Sequence, residues 1–249
     1  MVSIELDNTF PTEKWLKGLI DLHIYNRPSI FERSFTTKEL AIQCRNVGYR
    51  AIVVKNHFYP TIEGAYMARQ DVPGIEVYGS VTLNWPVGGI NAFAVYSAIE
   101  LGAKIIWMGS MHAGSLSDQP FRSKINFADI VNPNNSWLKT PDKRWMIRPP
   151  TNAINLKTGE ILTEVIDILD LIAEAEVVLA TDGLSKEECL VLVPAAVKAG
   201  VKKILVPARI YRESYYTIEE LKKLTSVGAF LECYAAPYRD HYSPAILAE

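Results

Sequence analysis

The sequence predicts an α/β fold, a (β/α) barrel of the TIM type that is distorted or incomplete, with about seven strands. Three observations predict it. Strand and helix signals alternate along most of the 249 residues. Nearly every strand is joined to the next by a helix, which implies a largely parallel sheet with right-handed crossovers. Three of the four histidines, His23, His57 and His112, fall where a predicted strand ends, and the carboxyl ends of barrel strands form the rim on which active sites are built.

Leu19 to Tyr25 is a β-rich run, and Thr36-Thr37-Lys38-Glu39 reads as a capping box opening a helix that lasts to about Val47, with Gly48 as its stop. Arg50 to Lys55 is a continuous apolar strand of the kind buried on both faces. Pro60-Thr61 opens a helix ending near Asp71, and Ile75 to Leu83 is the third strand. Asn91 to Leu101 is helical and is stopped by Gly102; Lys104 to Met108 is the fourth strand. From Ala113 to about Asn155 the chain is rich in Ser, Asn, Pro, Lys and Trp and has no sustained period, the signature of a lid, binding loop or excursion. Ala153 to Thr163 reads as a hairpin turning at Lys157-Thr158-Gly159. Then come helix Glu164–Ala175, strand Val177–Ala180, helix Ser185–Ala199 with a second capping box, strand Lys203–Val206, helix Thr217–Ser226 and strand Ala229–Tyr234. The last stretch, Ala235 to Glu249, is too short for an eighth unit and its closing helix. The whole chain, 1–249, is expected to be one domain with an insert at 113–155. A doubly wound open sheet is the other α/β candidate, but no G-x-G-x-x-G turn follows the first strand, so dinucleotide binding has no support.

Composition excludes several function classes. With 49% hydrophobic and 22% charged residues and a formal net charge of −2, the chain has no basic footprint for nucleic acid. No apolar run approaches a membrane span. Glu5 and Asp7 stand where a secretory signal needs basic and then apolar residues, so a cytoplasmic location is expected. Cys44, Cys189 and Cys233 form no C-x-x-C pair and read as buried thiols.

The candidate chemistry gathers at the predicted strand ends. In Asp21-Leu22-His23-Ile24-Tyr25, alternation sends Asp21, His23 and Tyr25 to one side of the strand. Such groups inside a barrel need hydrogen bonds or a metal. His57 is a candidate ligand or base, and Lys55 a salt-bridge donor or desolvated amine. His112 comes after the fourth strand. Asp182, in Thr181-Asp182-Gly183, is a candidate ligand or base, or turn chemistry. Arg209 suits an anionic substrate group. Asn84 stands before Pro86-Val87-Gly88-Gly89, whose paired glycines can expose N–H groups to an anion, although no Lys-Ser/Thr comes next to make a P-loop. No G-x-S-x-G elbow is present.

Asp21-Leu22-His23, Lys55-Asn56-His57, the strand Val77-Tyr78-Gly79 to Leu83-Asn84 with its Pro86-Val87-Gly88-Gly89, and Ile105-Ile106-Trp107-Met108 together resemble uncharacterised amidohydrolase-like proteins related to PHP-type metal hydrolases. The resemblance runs over roughly residues 17 to 234. It implies a distorted barrel with divalent metal at the rim, activating water against a C–N or phosphoester bond. The chain departs from that pattern at the ligands. Tyr25 stands in place of the second His of Asp-x-His-x-His, Thr181-Asp182-Gly183 where a His is usual, and Pro207-Ala208-Arg209 where another is expected. His23 and His57 match family ligands directly.

Three functions are compatible with these residues. The first is metal-dependent hydrolysis of a small molecule, of the amide or cyclic amide class. Zinc, manganese or iron would be held by Asp21, His23 and His57, with Asp182, His112, Lys55 and Tyr25 as catalytic candidates and Arg209 and Asn84 binding substrate. The second is a degenerate paralogue serving as a non-catalytic subunit. The third is metal-free acid–base chemistry, a lyase or isomerase run by His23, Tyr25 and Lys55. The aromatics Trp137, Trp145, Tyr234, Tyr238 and Tyr242 suit a subunit interface, so a homo-oligomer, or a hetero-oligomer with a related subunit, is expected.

Overall fold

Within each short strand, successive side chains enter two different environments, and that alternation builds the layers. A computed structural model describes residues 16–113, 151–155, 157–207 and 216–232. Strands β1 (Ile20–Tyr25), β2 (Ala51–Lys55) and β3 (Glu76–Tyr78) pair in parallel, as do β4 (Ser80–Thr82), β5 (Ile105–Trp107), β6 (Val178–Ala180), β7 (Ile204–Pro207) and β8 (Ala229–Glu232). Helices α1 (Thr37–Asn46), α2 (Ile62–Asp71), α3 (Ala92–Glu100), α4 (Thr163–Ala175), α5 (Lys186–Lys198) and α6 (Ile218–Ser226) lie between them in sequence. Ile52, Val54 and Val77 pack outward against α1 and α2, while Ile106, Leu179 and Val206 pack outward against the later helices. The alternate residues Val53, Ile105, Trp107, Ala180 and Leu205 form a separate, inner cluster. This is the α/β barrel architecture, and among the described residues its sheet is not closed by a ladder between β8 and β1.

The helix starts obey local chemistry. Thr36 and Glu39 form a complete capping box at α1, as do Ser185 and Glu188 at α5 and Thr217 and Glu220 at α6. Asn91 caps α3 by accepting from Phe93 and Ala94 N–H. The expected hairpin is present as a bridge between Ile154 and Ile161, with Asn155 N–H donating to the Glu160 carbonyl at 2.8 Å.

One expected strand is divided. Ile75–Leu83 breaks at Gly79 into β3 and β4. The cause is the chain entering α2, which passes so close that a Cβ on Gly79 would lie 2.4 Å from Ile62 Cα. Thr61 occupies the gap between β2 and β4. Its hydroxyl donates to the Val54 carbonyl at 2.6 Å and accepts from Ser80 N–H at 2.9 Å, and its own N–H reaches the Ser80 carbonyl at 3.0 Å. A threonine thus replaces a stretch of ladder, satisfying groups that would otherwise be buried unpaired.

The other discontinuity is the seam between β8 and β1. A side-chain link crosses it: His23 Nδ1 lies 3.0 Å from the Glu232 carboxylate. Glu232 also lines a cavity of about 630 Å³ at the seam, with Ile20, Asp21, Leu22, Val178, Leu205 and Phe230. No described helix is long and apolar enough to cross a membrane. Cys44 and Cys189 are buried free thiols. Cys233, His241, Arg209, the named insert and tail aromatics, and most of the 113–155 insert lie outside the described residues.

Candidate active site at the carboxyl rim

Lys55 ends β2 two residues after inward-facing Val53, so its side chain enters the barrel interior one layer above the apolar core. It is fully buried. Its ammonium donates to Asp182 Oδ2 at 2.6 Å, lies 3.0 Å from His23 Nε2 and stands 3.9 Å over the Trp107 ring. A buried ammonium is tolerated only with such compensation: a carboxylate, a hydrogen-bond partner and an aromatic face.

Each partner is delivered by the end of a different strand. Asp182 stands two residues past the end of β6 and takes the left-handed backbone conformation, φ 43°, that an Asp-Gly turn accommodates. Gly183 is required there, because a Cβ would meet the Gly109 and Ser110 carbonyls at 2.8 Å. That close approach locks the turn after β6 onto the turn after β5. From β1 comes His23, its ring 4.5 Å from that of Trp107, with Nε2 also 3.0 Å from the Tyr25 hydroxyl. The carboxylate of Glu232, the last residue of β8, holds the opposite ring nitrogen.

A second layer braces His57. Its Nδ1 lies 2.8 Å from Ser110 Oγ, and the Asn84 amide donates to that same oxygen at 2.9 Å. With Ser110 buried and its oxygen already accepting, its proton is satisfied by donation to His57 Nδ1, which leaves the ring's own proton on Nε2. Burial, then the charge of Lys55, pushes His57 down to about 3. It is therefore a neutral imidazole across the ordinary pH range.

The structure sorts the expected site residues into groups. His23, Tyr25, Lys55 and Asp182 come together in one connected cluster, and His57 stacks beside it, 4.9 Å from the Tyr25 ring. Asp21 stands apart. The register of β1 shifts between Asp21 and Ile24, so strict alternation is not kept. Asp21 accepts from the His23 backbone N–H at 2.8 Å and lines the seam cavity instead. Asn84, expected to bind substrate, spends its amide on the protein itself: Nδ2 goes to Ser110 and to the His57 carbonyl, and Oδ1 accepts from Ser110 and His112 N–H. It is a brace. His112 is held through its backbone by Asn84 and by Thr151, whose N–H reaches the His112 carbonyl at 2.6 Å. Arg209 lies outside the described residues.

Sequence reasoning passed over four residues: Trp107, Ser110, Glu232 and Arg33. Arg33, from the loop after β1, places its guanidinium 4.2 Å over the Tyr25 ring.

Among the described residues the donor set is not gathered for a metal: no group of three or more His, Cys, Asp or Glu side chains is placed to hold one, and structural or catalytic zinc needs at least three. His23 Nε2 and Asp182 both face a cation already, the Lys55 ammonium. The arrangement can instead hold an amine beside a proton acceptor, with a neutral N–H donor nearby.

A family model described as a family of unknown function (DUF6282) matches residues 18–232. No curated protein matches the chain. Among solved structures, the chain is similar to an amidohydrolase from Pseudomonas aeruginosa, with 11% identity over 88% of this chain and 64% of that one, and a TM-score of 0.50. It thus spans less than two thirds of that protein. It is also similar to a 5-methylcytosine deaminase from Klebsiella pneumoniae liganded with phosphonocytosine (12% identity, 80% of this chain and 44% of that one, TM-score 0.43). A third match is a 2,3-dimethylmalate lyase of the PEP mutase/isocitrate lyase superfamily (11%, 86% and 64%, TM-score 0.41). The first of these likenesses supports the barrel fold.

Proposed function

The chain belongs to DUF6282, a family of unknown function, so its activity has to be read from its own rim, and we propose that it is a metal-independent lyase or isomerase acting on a small carbonyl compound through the Lys55 amine. One observation carries this reading: Lys55 is fully buried, yet its nitrogen lies within hydrogen-bond reach of both a carboxylate and an imidazole. Buried amines next to proton acceptors form Schiff bases with carbonyl substrates.

The step balances without any co-reactant. The Lys55 ammonium passes one proton to His23 Nε2, 3.0 Å away, and the free amine attacks the carbonyl carbon, forming a C–N bond. The attacking nitrogen gives up a second proton to the carbonyl oxygen, which the His57 Nε2–H and the Tyr25 hydroxyl steady by hydrogen bonding; that oxygen then takes the proton held on His23 and leaves as water, giving a protonated imine. That imine withdraws electrons from the adjacent carbon, so a C–H or C–C bond there breaks more easily. Glu232 stabilises the imidazolium that His23 becomes. Because His57 stays neutral, it serves as a donor to a developing oxyanion rather than as a fixed charge.

A second reading is hydrolysis by metal-activated water on an amide or cyclic amide. The observation favouring it is His57, a neutral imidazole of the kind that ligates metals. It requires Lys55 to leave its place between Asp182 and His23.

The amine reading is tested by incubating the protein with short aldehydes and ketones and sodium cyanoborohydride, and then mapping peptides. A reduced adduct on Lys55, absent in Lys55→Met, is the expected result. Labelling confined to surface lysines would reject the reading.

A further inference from the structure

Arg33 is a feature of the site that this chemistry does not use. Its guanidinium is half-buried, lying 4.2 Å from the Tyr25 ring centroid and 5.9 Å from that of Phe31. Its Nε is buried without a hydrogen-bond partner among the described residues, and none of the described ion pairs includes it. A partly desolvated guanidinium with a planar fork of donors and no acceptor is an incomplete interaction.

The same Tyr25 ring fixes both cations, with Lys55 Nζ 5.6 Å from its centroid. The Tyr25 hydroxyl touches His23, and its face carries Arg33. Both cations therefore neighbour one ring.

Building on the amine reading above, we infer that the substrate is a short carbonyl compound bearing an oxyanion head, a carboxylate or a phosphate, which the Arg33 fork takes in bidentate fashion while the carbonyl carbon meets Lys55 Nζ. Bidentate pairing supplies orientation as well as affinity. It presents the carbonyl to the amine in one pose, which is where a positioned reactant gains over a free one. Stacking on Tyr25 and Phe31 pre-sets the fork, so little rotamer freedom is left to lose on binding. Burial lowers the guanidinium's proton affinity from its ordinary value, and a bound oxyanion reverses that penalty.

The test compares reductive trapping by pyruvate (carboxylate head), dihydroxyacetone phosphate (phosphate head) and dihydroxyacetone (neutral), read as adduct on Lys55 by intact mass. In the wild type, at least one anionic probe is expected to trap faster than the neutral one. In Arg33→Met, that advantage should shrink by about ten- to a hundredfold, with Arg33→Lys between the two. Which anionic probe gains tells carboxylate from phosphate. Equal trapping of anionic and neutral probes, or an advantage surviving in Arg33→Met, overturns the anion site and leaves the amine reading standing. Should no probe trap, the amine reading fails, and ligand-observed NMR with propanoate and inorganic phosphate decides the anion site alone. Binding lost in Arg33→Met upholds it, and binding that is absent or unchanged overturns it.

Discussion

Lys55→Met is expected to destabilise the protein by about 3–5 kcal/mol, and adding Asp182→Asn is expected to recover much of that loss. The Lys55 side chain is wholly inaccessible, and the Asp182 side chain is 4% exposed. Methionine replaces the alkyl stem well enough, so the cost is electrostatic. The Asp182 carboxylate loses the ammonium 2.6 Å away while remaining almost fully buried. The Trp107 face, 3.9 Å from the same nitrogen, loses a cation as well. Asparagine removes the stranded charge, keeps the shape, and tolerates the left-handed φ of 43° that position 182 requires. The double-mutant cycle, measured by urea unfolding, is expected to give a coupling energy of about 2 kcal/mol or more. Additive effects would mean that the two charges do not depend on each other.

Gly79→Ala is expected to cost about 3 kcal/mol or more. The added Cβ would sit 2.4 Å from Ile62 Cα, 2.6 Å from Ile62 N and 2.9 Å from the Thr61 carbonyl carbon. All three are backbone atoms, so no side chain can swing away. To make room, the start of α2 must move, and with it the Thr61 hydroxyl that stitches β2 to β4. Gly64→Ala, in the first turn of the same helix, is the control. Its Cβ would meet the Thr37 hydroxyl at 3.2 Å, and the gain in helix propensity of about 0.5–1 kcal/mol offsets that contact. Denaturation midpoints of the two variants are expected to differ widely. Similar midpoints would show that the crossing at Gly79 is more pliant than its geometry implies.

These positions also mark what sequence alone can reveal. Helix starts are legible because their signals are local: Thr36 with Glu39 and Ser185 with Glu188 are three residues apart, and both form the predicted boxes. The rim is legible because a strand end is a position in sequence, and His23, Lys55, His57 and Asp182 all fall on one. The strand break at Gly79 is not, because its cause is the path of a helix entry seventeen residues upstream, and a glycine inside an apolar run looks like any other. Nor is Glu232, which meets His23 across 209 residues only because β8 and β1 face each other over the seam. Arg33 sits in an irregular loop with no period to place it. Asp21 shows the limit of alternation as a rule, since the register shift within β1 directs its carboxylate to the His23 backbone and the seam cavity.

The Lys55–Asp182–His23 cluster also bears on whether the rim needs a metal. An ammonium and a transition-metal ion are competing solutions to the same problem, that of neutralising carboxylate and imidazole at the top of a low-dielectric barrel. In this chain the cation proposed for that role is Lys55. Elemental mass spectrometry of protein purified without chelators or a histidine tag tests this most directly, before and after incubation with zinc, manganese and iron. Metal far below one equivalent, unchanged in His23→Ala and His57→Ala, is the predicted result. Close to one equivalent of a single metal, lost in both variants, would contradict it and return the site to metal-assisted hydrolysis.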